Sequence, residues 1–134
     1  MADQPIPVRV KLAALWATLM SLYIYNDYFK LYRPGAIGSM AAGRMGPLGP
    51  ATDGVLIGVS ALLAVPALMI ALSVLLPPVV SRWLSAIVAV AYTAVEVLTF
   101  LGAYPAYQMM VALEIATTLT ILMLASLWPR GATA

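Results

Sequence analysis

The chain has no cysteine and no histidine. Without a thiol there is no disulfide and no thiolate nucleophile. Without Cys and His, zinc sites of the usual N/S type, haem held by a protein Cys or His, and a Ser-His-Asp triad are all excluded. Charge is scarce as well. Only 9% of the 134 residues are charged, against about 25% in a soluble domain. The net charge is +2 and the basic residues do not cluster, so nucleic acid is not an expected partner. No cofactor and no metal are expected. Proton chemistry, if there is any, falls to Asp, Glu, Lys or Tyr.

What fills the chain is apolar. Hydrophobic residues make up 63% of it and the mean hydropathy is +0.98. No soluble fold of this size hides that much apolar surface, so the solvent is lipid. Four stretches are long enough to cross a bilayer, which takes about 20 residues each. They run from about 11 to 32, 53 to 76, 82 to 101 and 105 to 128. Arg9 and Lys11 precede the first stretch, but that stretch is too long for a signal-peptide h-region, so a retained first span is expected.

The connections suit alternating spans. Arg33-Pro34-Gly35 ends the first, because Pro lacks a donor and Gly turns readily. Residues 33–52 read as a Gly/Pro-rich loop, too rich in helix breakers for a stable helix; the alternative reading is a lid over the bundle mouth. Thr52 or Asp53 caps the second span. Gly54 and Gly58 form a GxxxG pair, the kind that lets helices approach closely. Pro66 lies mid-span and frees the carbonyl of Leu62. Pro77-Pro78 stops the second span and Ser81 is read as the cap of the third, which makes an antiparallel hairpin. Pro105 suits the first turn of the fourth span.

The expected fold is all-α: a single four-helix transmembrane bundle, up-down-up-down, with both termini on one side. Two aromatic girdles agree with it. Trp16, Trp83 and Trp128 fall towards the face of the termini, and Tyr28, Tyr32, Tyr104 and Tyr107 towards the other. The distribution of basic residues leans to a cytoplasmic Trp face, and a bacterial cytoplasmic membrane is the expected location.

Three acids sit where acids are costly. Asp27 is roughly 7 Å below the end of its span, Glu96 about 21 Å along the third span from Arg82, and Glu114 roughly 13 Å into the fourth from Pro105. Each has polar neighbours at helical spacing: Tyr23 and Lys30 for Asp27; Ser85, Tyr92 and Thr99 for Glu96; Tyr107, Thr117 and Thr118 for Glu114. Such stripes are expected to face inward. Three readings stand side by side. The carboxyls pin helix to helix, or they grip a cation or polar headgroup, or they titrate as a linked set that exchanges protons. Lys30 or Arg33 next to Asp27 offers that acid a purely local solution.

Several short motifs carry a resemblance: Tyr25-Asn26-Asp27 followed by Pro34-Gly35, the stretch Pro66 to Ser73, Arg82-Trp83, and Glu114 to Thr118. Over roughly 11–129 they resemble a family of small bacterial four-span proteins of unknown function, loosely DoxX-like in architecture. The resemblance implies a four-helix membrane fold and gives Asp27 and Glu114 extra weight. It implies no activity. Glu96 has no counterpart in it and rests on its depth alone.

The functional expectation is an integral membrane protein with a carboxylate-lined cavity. There Asp27, Glu96 and Glu114, with Tyr23, Tyr92, Thr117 and Thr118, bind a small amphipathic or cationic molecule and couple it to protons. Small multidrug transporters are a physical analogue in architecture only. A second class is a non-catalytic accessory subunit of a larger membrane complex, using the GxxxG face; a homodimer with an occupied cavity would instead fit the first class. A third, the least favoured, is a membrane enzyme acting on a lipid or isoprenoid, with Tyr92, Glu96 and Glu114 stabilising a carbocation.

Overall fold

The computed structural model describes residues 5–45 and 48–127. Readings that involve Met1 to Gln4, Gly46, Pro47, Trp128, Pro129 and Arg130 lie outside these residues. Among the described residues there are five α-helices: α1 (Val8–Lys30), α2 (Ala36–Ala41), α3 (Asp53–Leu75), α4 (Pro78–Gly102) and α5 (Pro105–Leu127). Four of them are long and apolar enough to cross a membrane. A 23-residue helix reaches about 35 Å, which exceeds the hydrocarbon thickness of about 30 Å.

The four long helices form the expected up-down-up-down transmembrane bundle. Side chains that cross between helix ends fix the alternation. At one end, Arg9 at the start of α1 donates to the carbonyl of Leu76 behind α3 (3.0 Å). At the same end, Arg82 in the first turns of α4 donates to Ala125 O near the end of α5 (2.9 Å). At the other end, Tyr107 near the start of α5 donates to Phe29 O at the end of α1 (3.4 Å). In ring order the helices run α3, α1, α5, α4. The tightest packing is between α4 and α5, and α1 packs on both α3 and α5. The core is Leu12, Trp16 and Leu19 of α1, Met69 of α3, Ala89 of α4 and Ile121 of α5.

Local sequence explains most of the helix ends. Thr52 caps α3, its hydroxyl accepting from the N–H of Val55 (3.2 Å), and Asp53 sits in the positively polarised first turn. α4 starts at Pro78, ahead of the expected start at Arg82. Pro at the first helical position costs no hydrogen bond and presets φ, so the helix begins on the proline itself. Ser81 is therefore inside α4 rather than its cap, and its hydroxyl donates to the carbonyl of Ser73 (2.9 Å), locking the α3–α4 corner.

Three further expectations are corrected. Residues 33–52 are not helix-free, because they hold α2. The reason is placement. Gly35 and Gly43 flank α2 with φ of +82° and +78°, where left-handed backbone favours glycine, and the interior is mostly Ala, Ile and Met. The segment then closes on itself through Ala51 N–H to Gly43 O and Met45 N–H to Gly49 O, both 2.7 Å. Second, Trp16 does not belong to a surface girdle. It is fully buried and its Nε1–H points at Ser85 Oγ (3.4 Å). Trp83 is exposed, as are Tyr28, Tyr32 and Tyr104 at the opposite end. Third, the GxxxG pair brings no helices together within the bundle. A Cβ on Gly58 would meet nothing within 4 Å, and one on Gly54 only its own cap, Thr52 Oγ1, at 3.9 Å.

Candidate functional site

Two helix faces deliver acids to the interior. On α4, Ser81, Ser85, Ala89, Tyr92 and Glu96 are buried at steps of three and four residues, the spacing of one helical stripe. On α5, Val111, Glu114, Thr118, Ile121 and Ala125 do the same. Glu96 and Glu114 are each only 3% exposed. Small residues on both stripes, Ser85, Ala89 and Ala125, allow the close approach of α4 and α5.

The two carboxyls are met by separate hydrogen-bond donors. Thr118 Oγ1 lies 2.8 Å from Glu96 Oε1 and 3.3 Å from the backbone carbonyl of Glu114. It has one hydrogen and serves one of these at a time. Thr93 backs it from α4, hydroxyl to hydroxyl at 2.8 Å. From α1, the Tyr23 hydroxyl donates to Glu96 Oε2, and Asn26 Nδ2 donates to Glu114 Oε2 (3.2 Å). Tyr23 and Asn26 are three residues apart on one face of α1. A single helix thus offers one donor to each acid.

No described Lys or Arg forms an ion pair with either glutamate. The ion pair among the described residues is Lys30–Asp27, at 3.8 Å on the surface. Asp27 is therefore not a third member of the buried set. Its side chain is 62% exposed, and the neighbouring Asn26, 4% exposed, holds the inward position. The physical reason is the 100° turn between consecutive helical residues. From Tyr23, the steps of three and four lead to Asn26 and Asp27 respectively. The helix turns the neutral amide inward and leaves the acid outside, where Lys30 meets it.

The remaining candidates divide. Tyr92 is buried one turn from Glu96, but its hydroxyl donates to the carbonyl of Leu62, the one that Pro66 leaves without its helical partner. Thr117 turns off the Glu114 stripe and its hydroxyl returns to its own helix at Leu113 O (2.8 Å). Thr99 likewise is exposed and bonds back to Val95 O. Thr117 instead lines an open groove of about 280 Å³ on the α1–α5 seam, with Leu15, Thr18, Leu22, Leu113, Ala116 and Thr120. This groove has no carboxylate in its lining, so it is not the expected acid-lined chamber. Among the described residues no cluster of three or more acids is placed to hold a metal ion. The donor set is two carboxyls, two hydroxyls and an amide. It suits a proton or a singly charged cation, and it has no nucleophile poised by a base.

Asn26 escaped the sequence reading, which weighed acids above amides. The signal was nonetheless present. Leu12, Trp16 and Leu19 set an inward stripe at alternating steps of four and three, and its continuation passes through Tyr23 to Asn26.

A family model, for a family of unknown function, matches residues 8–134, from the first residue of α1 onward. No curated protein and no solved structure matches the chain.

Proposed function

The chain belongs to DUF6326, a family of unknown function, and we propose that it binds a small amphipathic cation within the membrane at the Glu96–Glu114 pair in exchange for a proton. The observation that carries this reading is two carboxyls, each 3% exposed, with neutral donors around them and, among the described residues, no basic side chain bonded to either. Ionised acids in lipid are costly unless compensated. A proton and a bound cation are alternative ways to remove that cost, so the two compete for the same oxygens. The α1–α5 groove supports the amphipathic part of the reading. It runs along the seam that Asn26 and Glu114 bridge, and its Leu and Ala lining suits a hydrocarbon portion. Its three threonine hydroxyls are already spent on their own helix carbonyls, so it makes no polar demand on an occupant.

The test is binding of a lipophilic phosphonium such as tetraphenylphosphonium to the purified protein in mild detergent. Binding is expected to release protons, to weaken as pH falls by up to about tenfold per pH unit for one proton exchanged, and to be lost in Glu96→Gln or Glu114→Gln with helical content retained. Wild-type binding in both variants, or binding indifferent to pH, overturns the reading.

A further inference from the structure

Asn26 Oδ1 is the one buried side-chain oxygen or nitrogen among the described residues without a hydrogen-bond partner. Its residue is 4% exposed, so lipid and bulk water do not supply the missing donor. We propose that the donor is Glu114: its carboxyl carries a hydrogen and gives it to Asn26 Oδ1, closing an acid–amide ring, while Glu96 is the carboxylate of the pair.

The geometry argues this from both sides. An ionised carboxylate only accepts, whereas a carboxylic acid donates with one oxygen and accepts with the other. A primary amide presents the complementary edge. Asn26 Nδ2 already donates to Glu114 Oε2 at 3.2 Å, which is half of the ring, and the unpartnered Oδ1 is the acceptor of the other half. Turning the amide over does not remove the need. Oδ1 would then face Glu114 Oε2, two acceptors opposed, unless the carboxyl held a hydrogen.

Other donors are committed. The titratable groups whose charge reaches Glu114 are Tyr23, Asp27 and Lys30 on α1 and Glu96 on α4. Tyr23 gives its hydrogen to Glu96 Oε2, and Lys30 pairs with Asp27 at the surface. The Thr118 hydroxyl is 2.8 Å from Glu96 Oε1. Tyr92, the other phenol nearby, donates to Leu62 O. Glu96 is thus met by a donor on each oxygen, the pattern that suits a carboxylate. Glu114 is met by one donor, and the same amide carries the unpartnered acceptor, the pattern that suits an acid. The pair holds one hydrogen and one negative charge between two carboxyls, and environments that differ in this way separate the roles of paired acids. Asn26 is a positioning residue that fixes which carboxyl keeps the hydrogen.

This assignment rests on the same pair as the proposed function but needs no cation, so the test is run on the cation-free protein in bilayers. Infrared spectra at neutral pH are expected to show a protonated-carboxyl C=O band that shifts in deuterium oxide. The band should disappear in Glu114→Gln, persist in Glu96→Gln, and move to higher wavenumber in Asn26→Leu. A stability readout keeps the test decisive if Asn26→Leu does not fold. Glu114→Gln supplies a permanent N–H to Asn26 Oδ1 and should be at least as stable as the parent. Glu96→Gln turns an N–H towards the donors Tyr23 and Thr118 and should be less stable. The proposal is overturned by absence of the band in the parent, by a band lost in Glu96→Gln and kept in Glu114→Gln, or by the reverse order of stabilities. It is also overturned if sodium at constant pH abolishes the band, which would place a metal cation at Asn26 Oδ1 instead. None of these outcomes depends on whether the phosphonium binds.

Discussion

The Tyr92 hydroxyl donates to the carbonyl of Leu62, across from α4 to α3. Pro66 lies four residues after Leu62 inside α3 and has no N–H to offer it. A sequence-local defect in one helix is thereby repaired by a side chain of its neighbour. Removing the repair should cost about 1–2 kcal/mol in Tyr92→Phe. In Pro66→Ala the restored backbone N–H serves Leu62 itself, so Tyr92→Phe should cost less there. Unfolding in mixed detergent micelles, run as a double-mutant cycle, measures the coupling. Equal costs in both backgrounds would mean that the hydroxyl is not compensating for the proline.

Asp27 and Asn26 should respond in opposite ways despite being neighbours. Asp27 is an exposed partner of Lys30, and such pairs contribute about 0–1 kcal/mol. Asp27→Asn should therefore leave stability nearly unchanged and phosphonium binding intact. Asn26→Leu leaves Glu114 Oε2 without its donor inside the bundle and should cost about 1–3 kcal/mol. Thermal unfolding of the two variants side by side checks the contrast.

The tryptophans divide by depth in the protein rather than in the membrane. Trp16 is fully buried against Ser85, whereas Trp83 is 58% exposed. Brominated lipids should quench Trp83 strongly and Trp16 weakly. The variants to compare are Trp83→Phe with Trp128→Phe, which retains Trp16, and Trp16→Phe with Trp128→Phe, which retains Trp83. Comparable quenching of both would contradict the packing of α1 into the core.

Alanine and glycine positions on the two sides of the bundle should also part ways. A Cβ on Gly58 meets nothing, so Gly58→Ala should stabilise the monomer by up to about 1 kcal/mol, the helix-propensity difference. Ala89 is fully buried in the core, so Ala89→Leu should overpack it and cost about 1–3 kcal/mol. A loss of stability in Gly58→Ala would show that this face is already occupied by something other than lipid.

The four crossings were legible because hydropathy and length alone decide what spans a bilayer. The α4 stripe was legible as well, from Ser85 through Ala89 and Tyr92 to Glu96, since its spacing is regular and its neighbours are plainly apolar. It was Thr99, one step further, that did not follow, because beyond Glu96 the step of four leads to the half-buried Phe100 and leaves Thr99 exposed. Three things were not legible. Tyr23 has a polar residue at both of its inward steps, and charge was the wrong criterion for choosing between them. Trp16 lies about 12 Å into α1, too deep for an interfacial residue, but its type suggested the surface. The number of glycines in 33–52 argues against a helix, but the places of Gly35 and Gly43 at the ends of α2 are what permit it. The crossing partners of Tyr23, Asn26 and Tyr92 were beyond reach for another reason: ring order is not written in any local pattern, and of the two pairs joined by two-residue links, α4 and α5 pack tightly whereas α3 and α4 do not.

Seventy-three residues separate Tyr23 from Glu96, and eighty-eight separate Asn26 from Glu114. In both pairs the donor comes first. During synthesis, the helix that carries the phenol and the amide is made, and can settle in the bilayer, long before either acid emerges. Each glutamate then enters lipid with a waiting neighbour, so biogenesis runs in the direction that avoids stranding an acid.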